Sequence, residues 1–156
     1  MKEELEDTLL QWLKTLEYDG EQIAENFIRG RANKPEGNSF IIADFNNPIA
    51  EKPREHRLGN NKKLIKGTGK IICIWKAIDE EGSIIEGAEE FNDKIPDLIA
   101  DTVFDDPTLG NLIPGEIIII KQESGYIQTQ RLEDNYPFIT VLTFEYKGLW
   151  VTPIIE

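Results

Sequence analysis

Ile71-Ile72-Cys73-Ile74-Trp75 is the stretch that most narrows the folds open to this chain. A short unbroken apolar run suits a strand covered on both faces, whereas strict alternation would mark a half-exposed one. The reading therefore places a central strand over residues 70–78. Asp79-Glu80-Glu81-Gly82-Ser83 follows as turn chemistry. Ile84, Ala88, Phe91, Ile95, Leu98, Ala100 and Val103 then recur mostly at three- and four-residue steps, one face of a helix laid on the sheet. Pro96 falls inside that pattern, where it lacks the amide donor and crowds the preceding turn. The helix is expected either to kink there or to restart near Asn92 or Asp93.

The flanking segments extend this unit in both directions. Leu5, Leu9, Trp12, Leu13 and Leu16 share one helix face over residues 3–18, with Glu3, Glu4, Glu6 and Asp7 at its positive end and Gly20 as a stop signal. Residues 21–31 carry helical spacing at Ile23, Ala24, Phe27 and Ile28 but also strand features, and read as an irregular or edge strand. Turn residues over 33–38 precede a strand over 39–45. From Asn46 to Lys66 periodicity stops, and Pro48, Pro53, Gly59 and Asn60-Asn61 mark a long loop, of a length that compact domains keep mainly for binding. It holds the one basic island, Lys52, Arg54, Arg57, Lys62, Lys63 and Lys66 against Glu51 and Glu55. This is either a docking element for an acidic neighbour or an ordinary solvated loop. Further on, Ile117 to Ile120 suit a strand buried on both faces or at an interface, and residues 126–131 alternate weakly. Phe138, Thr140, Leu142, Phe144 and Tyr146 alternate with Ile139, Val141, Thr143 and Glu145, so the first set should face the core. Gly148 reads as a turn before Leu149-Trp150-Val151. This order predicts one α+β domain over residues 1–156, a mainly antiparallel sheet with two helices packed on one face.

A chain of 156 residues buries about two thirds of its unfolded surface, enough for a core without disulfide staples, and the single Cys73 could not form an internal one. The acidic N-terminal residues do not resemble a signal peptide, and no apolar run approaches a membrane span of about 20 residues, so a soluble chain is expected. A net charge of -12 argues against a free-standing nucleic-acid binder, which needs a basic footprint. Lys66-Gly67-Thr68-Gly69-Lys70 lacks the spacing of a phosphate loop and leads into a strand. His56 is the only histidine, so neither a zinc site nor a serine triad can be assembled from the usual groups. Glu80-Glu81, Glu89-Glu90 and Asp105-Asp106 could be imagined as acid–base or metal pairs, but a turn, a helix surface and a helix-ending turn explain them. The chain carries no nucleophile or base beyond carboxylates in a suggestive pattern, so no catalytic residue, metal or cofactor is expected.

The turn Asp106-Pro107-Thr108-Leu109-Gly110-Asn111-Leu112 follows the amphipathic helix and precedes the isoleucine-rich strand. With the closing strand that ends in Phe144 and Tyr146, it resembles the tail terminator proteins of long-tailed bacteriophages. Asp106, Thr108, Leu109, Gly110 and Leu112 carry the resemblance, and Asn111 stands where the family's turn usually has a second glycine. The resemblance implies a structural subunit in the virion tail or neck, assembled in the host cytoplasm. It would form a hexameric ring that caps the tail tube, stops its polymerisation and offers a surface to head-completion proteins, while DNA passes through without specific binding. Another neck connector, a head-closure or tail-completion protein, is the alternative within the same class. A small carboxylate- and metal-dependent enzyme acting near Asp105 and Asp106 is the alternative outside it.

Overall fold

The first helix, α1 (Lys2–Thr15), buries Leu5, Leu9, Trp12 and Leu13 along one stripe and keeps Glu3 and Glu4 in its first turn. It stops three residues earlier than the apolar spacing suggests. Asp19 (φ 55°) and Gly20 (φ 82°) are both left-handed, the combination of a two-residue hairpin turn, and they join the short strands β1 (Glu17–Tyr18) and β2 (Glu21–Gln22). The computed structural model describes residues 2–30, 37–46, 49–50, 62–79, 81–113, 115–126 and 138–151.

The remaining strands are β3 (Asn26–Arg29), β4 (Ser39–Phe45), β5 (Ile49–Ala50), β6 (Lys62–Trp75), β7 (Gly115–Tyr126) and β8 (Phe138–Val151). They form one six-stranded sheet in the order β3-β4-β6-β8-β7, with β5 pairing β6 beside this path. Among the described residues, only the β3–β4 pair is parallel. Strand β6 is central, as its apolar run requires, with Ile71, Cys73 and Trp75 buried beneath the helices and Ile72 and Ile74 half-buried on the other face. The fold is thus α+β, with α1 packed on β3 and β4 and α2 (Ala88–Asp105) on β6, β7 and β8. Both helices share one core with Ala43, Ile71 and Leu142, which lie side by side in register on one face. Among the described residues, no helix covers the opposite face.

Several boundaries differ from the sequence reading. Helix α2 begins after Gly87, whose φ of 83° suits glycine, so Ile84 lies outside it and is 82% exposed. It then runs without interruption through the buried Pro96. Residues 62–66 are not loop: β6 begins at Lys62 and pairs with β8 from Val151 onward. Nor does Gly148 turn the chain. It sits mid-strand opposite Gly115, where a side chain on Gly115 would strike the backbone of Lys147 and Gly148.

Polar groups fasten the helices to the sheet. Glu6 of α1 is 2% exposed and accepts the Phe45 backbone N–H at 2.9 Å. Buried Thr140 of β8 donates to Asn92 Oδ1 of α2 at 3.0 Å and shares a hydrogen bond with Ser124 of β7, also at 3.0 Å. Each removes a buried unsatisfied group that would otherwise cost roughly 1–3 kcal/mol.

Tyr146 is the exception. Its ring is 1% exposed and packs edge-on to Phe45, yet its hydroxyl has no hydrogen-bond partner among the described residues. Burial pushes that hydroxyl up to about 12 from 10.0, and the Cys73 thiol up to about 12 from 9.0. Both groups are neutral in the fold, and the unfolded chain releases their protons first. Stability should therefore be fully present below about pH 9 and decline as pH rises towards 12. Tyr146→Phe should leave the neutral-pH melting temperature unchanged or raise it, and flatten the alkaline decline. A marked fall in melting temperature would assign the hydroxyl a partner.

Candidate assembly surface

The family-like turn is a self-contained device. Leu109, Gly110 and Asn111 have φ values of 54°, 68° and 63°, three left-handed residues in succession. For leucine this costs roughly 1–2 kcal/mol, and asparagine tolerates it better. Asp106 offsets the cost by accepting the Gly110 N–H at 2.7 Å and the Thr108 hydroxyl at 2.8 Å, while Thr108 Oγ1 accepts the Asn111 N–H at 3.1 Å. Leu109 is fully buried and anchors the turn in the core, and Pro107 accepts the Ile117 N–H at 2.9 Å. The turn thereby fixes where β7 starts relative to α2. Leu112 donates its backbone N–H to the Leu109 carbonyl at 3.3 Å, while its side chain is 54% exposed. Asp106→Ala should lower stability by about 1–2 kcal/mol, a melting shift of several degrees. Asp106→Asn, which keeps acceptor capacity, should lose less, and an unchanged melting temperature for the alanine variant would remove Asp106 from the turn's support.

Among the described residues, strand β7 is one of the two outer strands of the sheet, β3 being the other. Only half of its isoleucine run is buried. Ile117 faces the core, but Ile118 is 52% exposed and Ile120, at an irregularity in the register, is 53% exposed. Burial on both faces within one chain is thus excluded, and the interface alternative remains. Phe104 on the neighbouring helix is 85% exposed, and between it and Ile118 runs a groove of ≈ 480 Å³ walled by Ala100, Asp101, Pro107 and Ile119. Natural edge strands are usually blunted by charge or bulges. Here the Lys121–Glu123 pair and the bulge protect the second half of β7, whereas Glu116 is the only charge from Gly115 to Ile120.

The acidic character of α2 is equally uneven. Glu89, Asp93, Asp97, Asp101 and Asp105 are all exposed and follow one another at four-residue steps. Like charges at this spacing repel, and carboxylates near a helix C-terminus face its negative end, so the row costs the isolated helix stability. Asp97 accepts a hydrogen bond from Gln122 of β7 at 2.9 Å, and Asp101 rims the groove. Of this row, the sequence reading weighs only Glu89, as helix surface, and Asp105, as part of the helix-ending turn, and the four-residue recurrence is the signal it passes over.

The other sequence candidates fall elsewhere. Lys62, Lys63 and Lys66 lie in β6, the last exposed, while Lys52, Arg54, Arg57 and His56 lie outside the described residues. Lys66-Gly67-Thr68-Gly69-Lys70 is strand. Glu80 is also outside the described residues, and Glu81 sits in a turn closed by Asp79, which accepts the Glu81 and Ser83 amides at 3.0 and 2.8 Å. Glu90 accepts the Tyr18 hydroxyl at 2.9 Å and thereby raises its pKa. Asp106 spends both carboxylate oxygens on the turn, and the described residues contain no group of three or more potential metal ligands. Compared with known protein families and with curated proteins, the chain matches none.

Proposed function

We propose that this chain is a structural ring subunit of a phage tail, a tail terminator that caps the tail tube and presents a surface to head-completion proteins. The observation that carries the reading is the exposed apolar edge formed by Phe104, Ile118 and Ile120 immediately beyond the family-like turn. A surface of this kind is stable in water only at a cost, and closed assembly of copies removes it. The reading is further supported by the self-bonded turn of Asp106, Thr108, Leu109 and Gly110, which gives these residues a shape-setting role and needs no catalytic one. The test is tail-tube growth in vitro: added subunit should halt elongation and remain at one end, and tubes that lengthen unchanged would refute the proposal.

Six copies would together carry roughly seventy excess negative charges, and a negative lumen lets a duplex slide because no phosphate finds a lasting partner. Filter binding with duplex DNA at physiological salt should therefore detect negligible affinity. Tight, salt-sensitive binding would make the basic stretch a phosphate-binding element instead.

A further inference from the structure

We infer that the cleft between the β1–β2 hairpin and the start of α2 binds a small zwitterion, an α-amino acid with an aliphatic side chain. It lies at the opposite end of α2 from the groove beside Ile118 and shares no residue with it.

Backbone and side-chain ties build the walls of this cleft. β6 ends at Trp75, and the Lys76 amide then donates to the Asn38 carbonyl at 2.9 Å, so the chain leaves the sheet beside the start of β4. The Ile85 amide donates to the Ala77 carbonyl at 2.9 Å, which returns the chain to the cleft just before Gly87 opens α2. On the other side, Tyr18 of β1 packs edge-on to Phe91 with ring centroids 5.8 Å apart and donates to Glu90 at 2.9 Å, which holds the hairpin against the helix. The enclosed space is ≈ 390 Å³, within the roughly 300–1,000 Å³ of small-ligand pockets. Ile23, Ala24 and Ile85 supply apolar lining.

The polar lining is rich in donors that lack acceptors. Trp75 is 3% exposed, and its indole N–H, which is not sealed from solvent as the Tyr146 hydroxyl is, has no acceptor among the described residues. Ser39 is 8% exposed; its Oγ accepts the Glu25 N–H at 2.8 Å and keeps its own proton to donate. Lys76 is half-buried and forms no ion pair with a described carboxylate. Gly87 caps α2 without a side-chain hydrogen bond, so the first-turn amides of an 18-residue helix lack a side-chain acceptor as well. A carboxylate placed here would accept from the indole and the hydroxyl and meet both the ammonium of Lys76 and the positive end of the helix.

These donors alone would suit any anion, and the rim narrows the choice. Glu21, Glu25 and Glu86 are exposed around the mouth, where they repel a multiply charged anion such as phosphate and attract an ammonium group. An α-amino acid carries the carboxylate for the donors, the ammonium for the glutamates and an aliphatic side chain for Ile23 and Ile85. The three requirements are met by one small molecule.

The test is a titration of the ¹⁵N-labelled protein with L-leucine, read at the indole N–H resonances by two-dimensional NMR, with the Trp75 resonance assigned by elimination using Trp12→Phe and Trp150→Phe. The Trp75 resonance should shift saturably at concentrations on the order of millimolar or below, while that of Trp12, buried in α1, stays in place. Isocaproate, which lacks the amine, and inorganic phosphate should each bind about tenfold more weakly or worse. Lys76→Met should weaken L-leucine about tenfold or more. Glu21→Gln/Glu25→Gln/Glu86→Gln should weaken L-leucine by about as much and leave isocaproate no weaker, with circular dichroism unchanged for both variants. A Trp75 resonance that stays still, that moves together with that of Trp12, or that responds to phosphate or isocaproate as strongly as to L-leucine would overturn the zwitterion site. Variants that bind L-leucine as the parent protein does would overturn it too.

Discussion

Phe144→Ala should destabilise the protein by about 3–5 kcal/mol, lowering its melting temperature by roughly 10 °C or more. Phe144 is fully buried, packs edge-on to Phe45 with ring centroids 4.9 Å apart, and lies in register with Gly69 between them. The two rings fill the space that Gly69 leaves empty at the centre of the sheet. A β-carbon at Gly69 would lie 2.5 Å from Phe144 Cζ and 2.8 Å from the Asp44 carbonyl oxygen, so Gly69→Ala should itself cost about 1–3 kcal/mol by overpacking. Because one substitution empties the space the other overfills, the double variant should lose less than the sum by about 1–2 kcal/mol. Rescue should remain incomplete, since the Asp44 carbonyl does not move away with the phenyl ring. Additive losses in denaturant unfolding would show that the glycine is not kept for this ring.

Ile118→Lys should behave in the opposite way. Half-exposed on an outer strand, Ile118 contributes little to the isolated fold, so stability should change by no more than about 0.5 kcal/mol. Self-association should weaken about thirtyfold or more, the effect of placing a charge on an apolar anchor worth about 2 kcal/mol. Phe104→Ser should act in parallel. Sedimentation velocity over a concentration series separates the two effects: a variant that unfolds but associates normally would place Ile118 in the core and not in a contact.

The parts of this fold legible in the sequence are those where burial enforces a period. The run Ile71 to Trp75 identified the central strand because the helices cover one face and the other is half-buried, and the alternation from Phe138 to Tyr146 identified the core face of β8. Elements that local backbone chemistry decides were harder to read. Asp19-Gly20 is a hairpin signal, but the apolar spacing of α1 carries the helix to residue 18, over the short strand β1, with Gly20 read only as its stop. Residues 62–66 carry no alternation, and they become strand through pairing with β8, a contact distant in sequence. Gly148 resembled a turn residue because the tight approach of Gly115 is invisible until the register is known. The exposed edge was half legible. Ile117 to Ile120 announced surplus apolar surface, but only the strand order shows β7 to be outermost, and only then do Phe104 and the carboxylate row of α2 become its neighbours.

The proposed role is a ring on the end of a tail tube. Native mass spectrometry of the protein recovered from tube ends tests it most directly. A closed six-fold ring gives a species at six times 17.8 kDa that disappears for Ile118→Lys. Recovery of the monomer alone, or no retention on tubes at all, would contradict it.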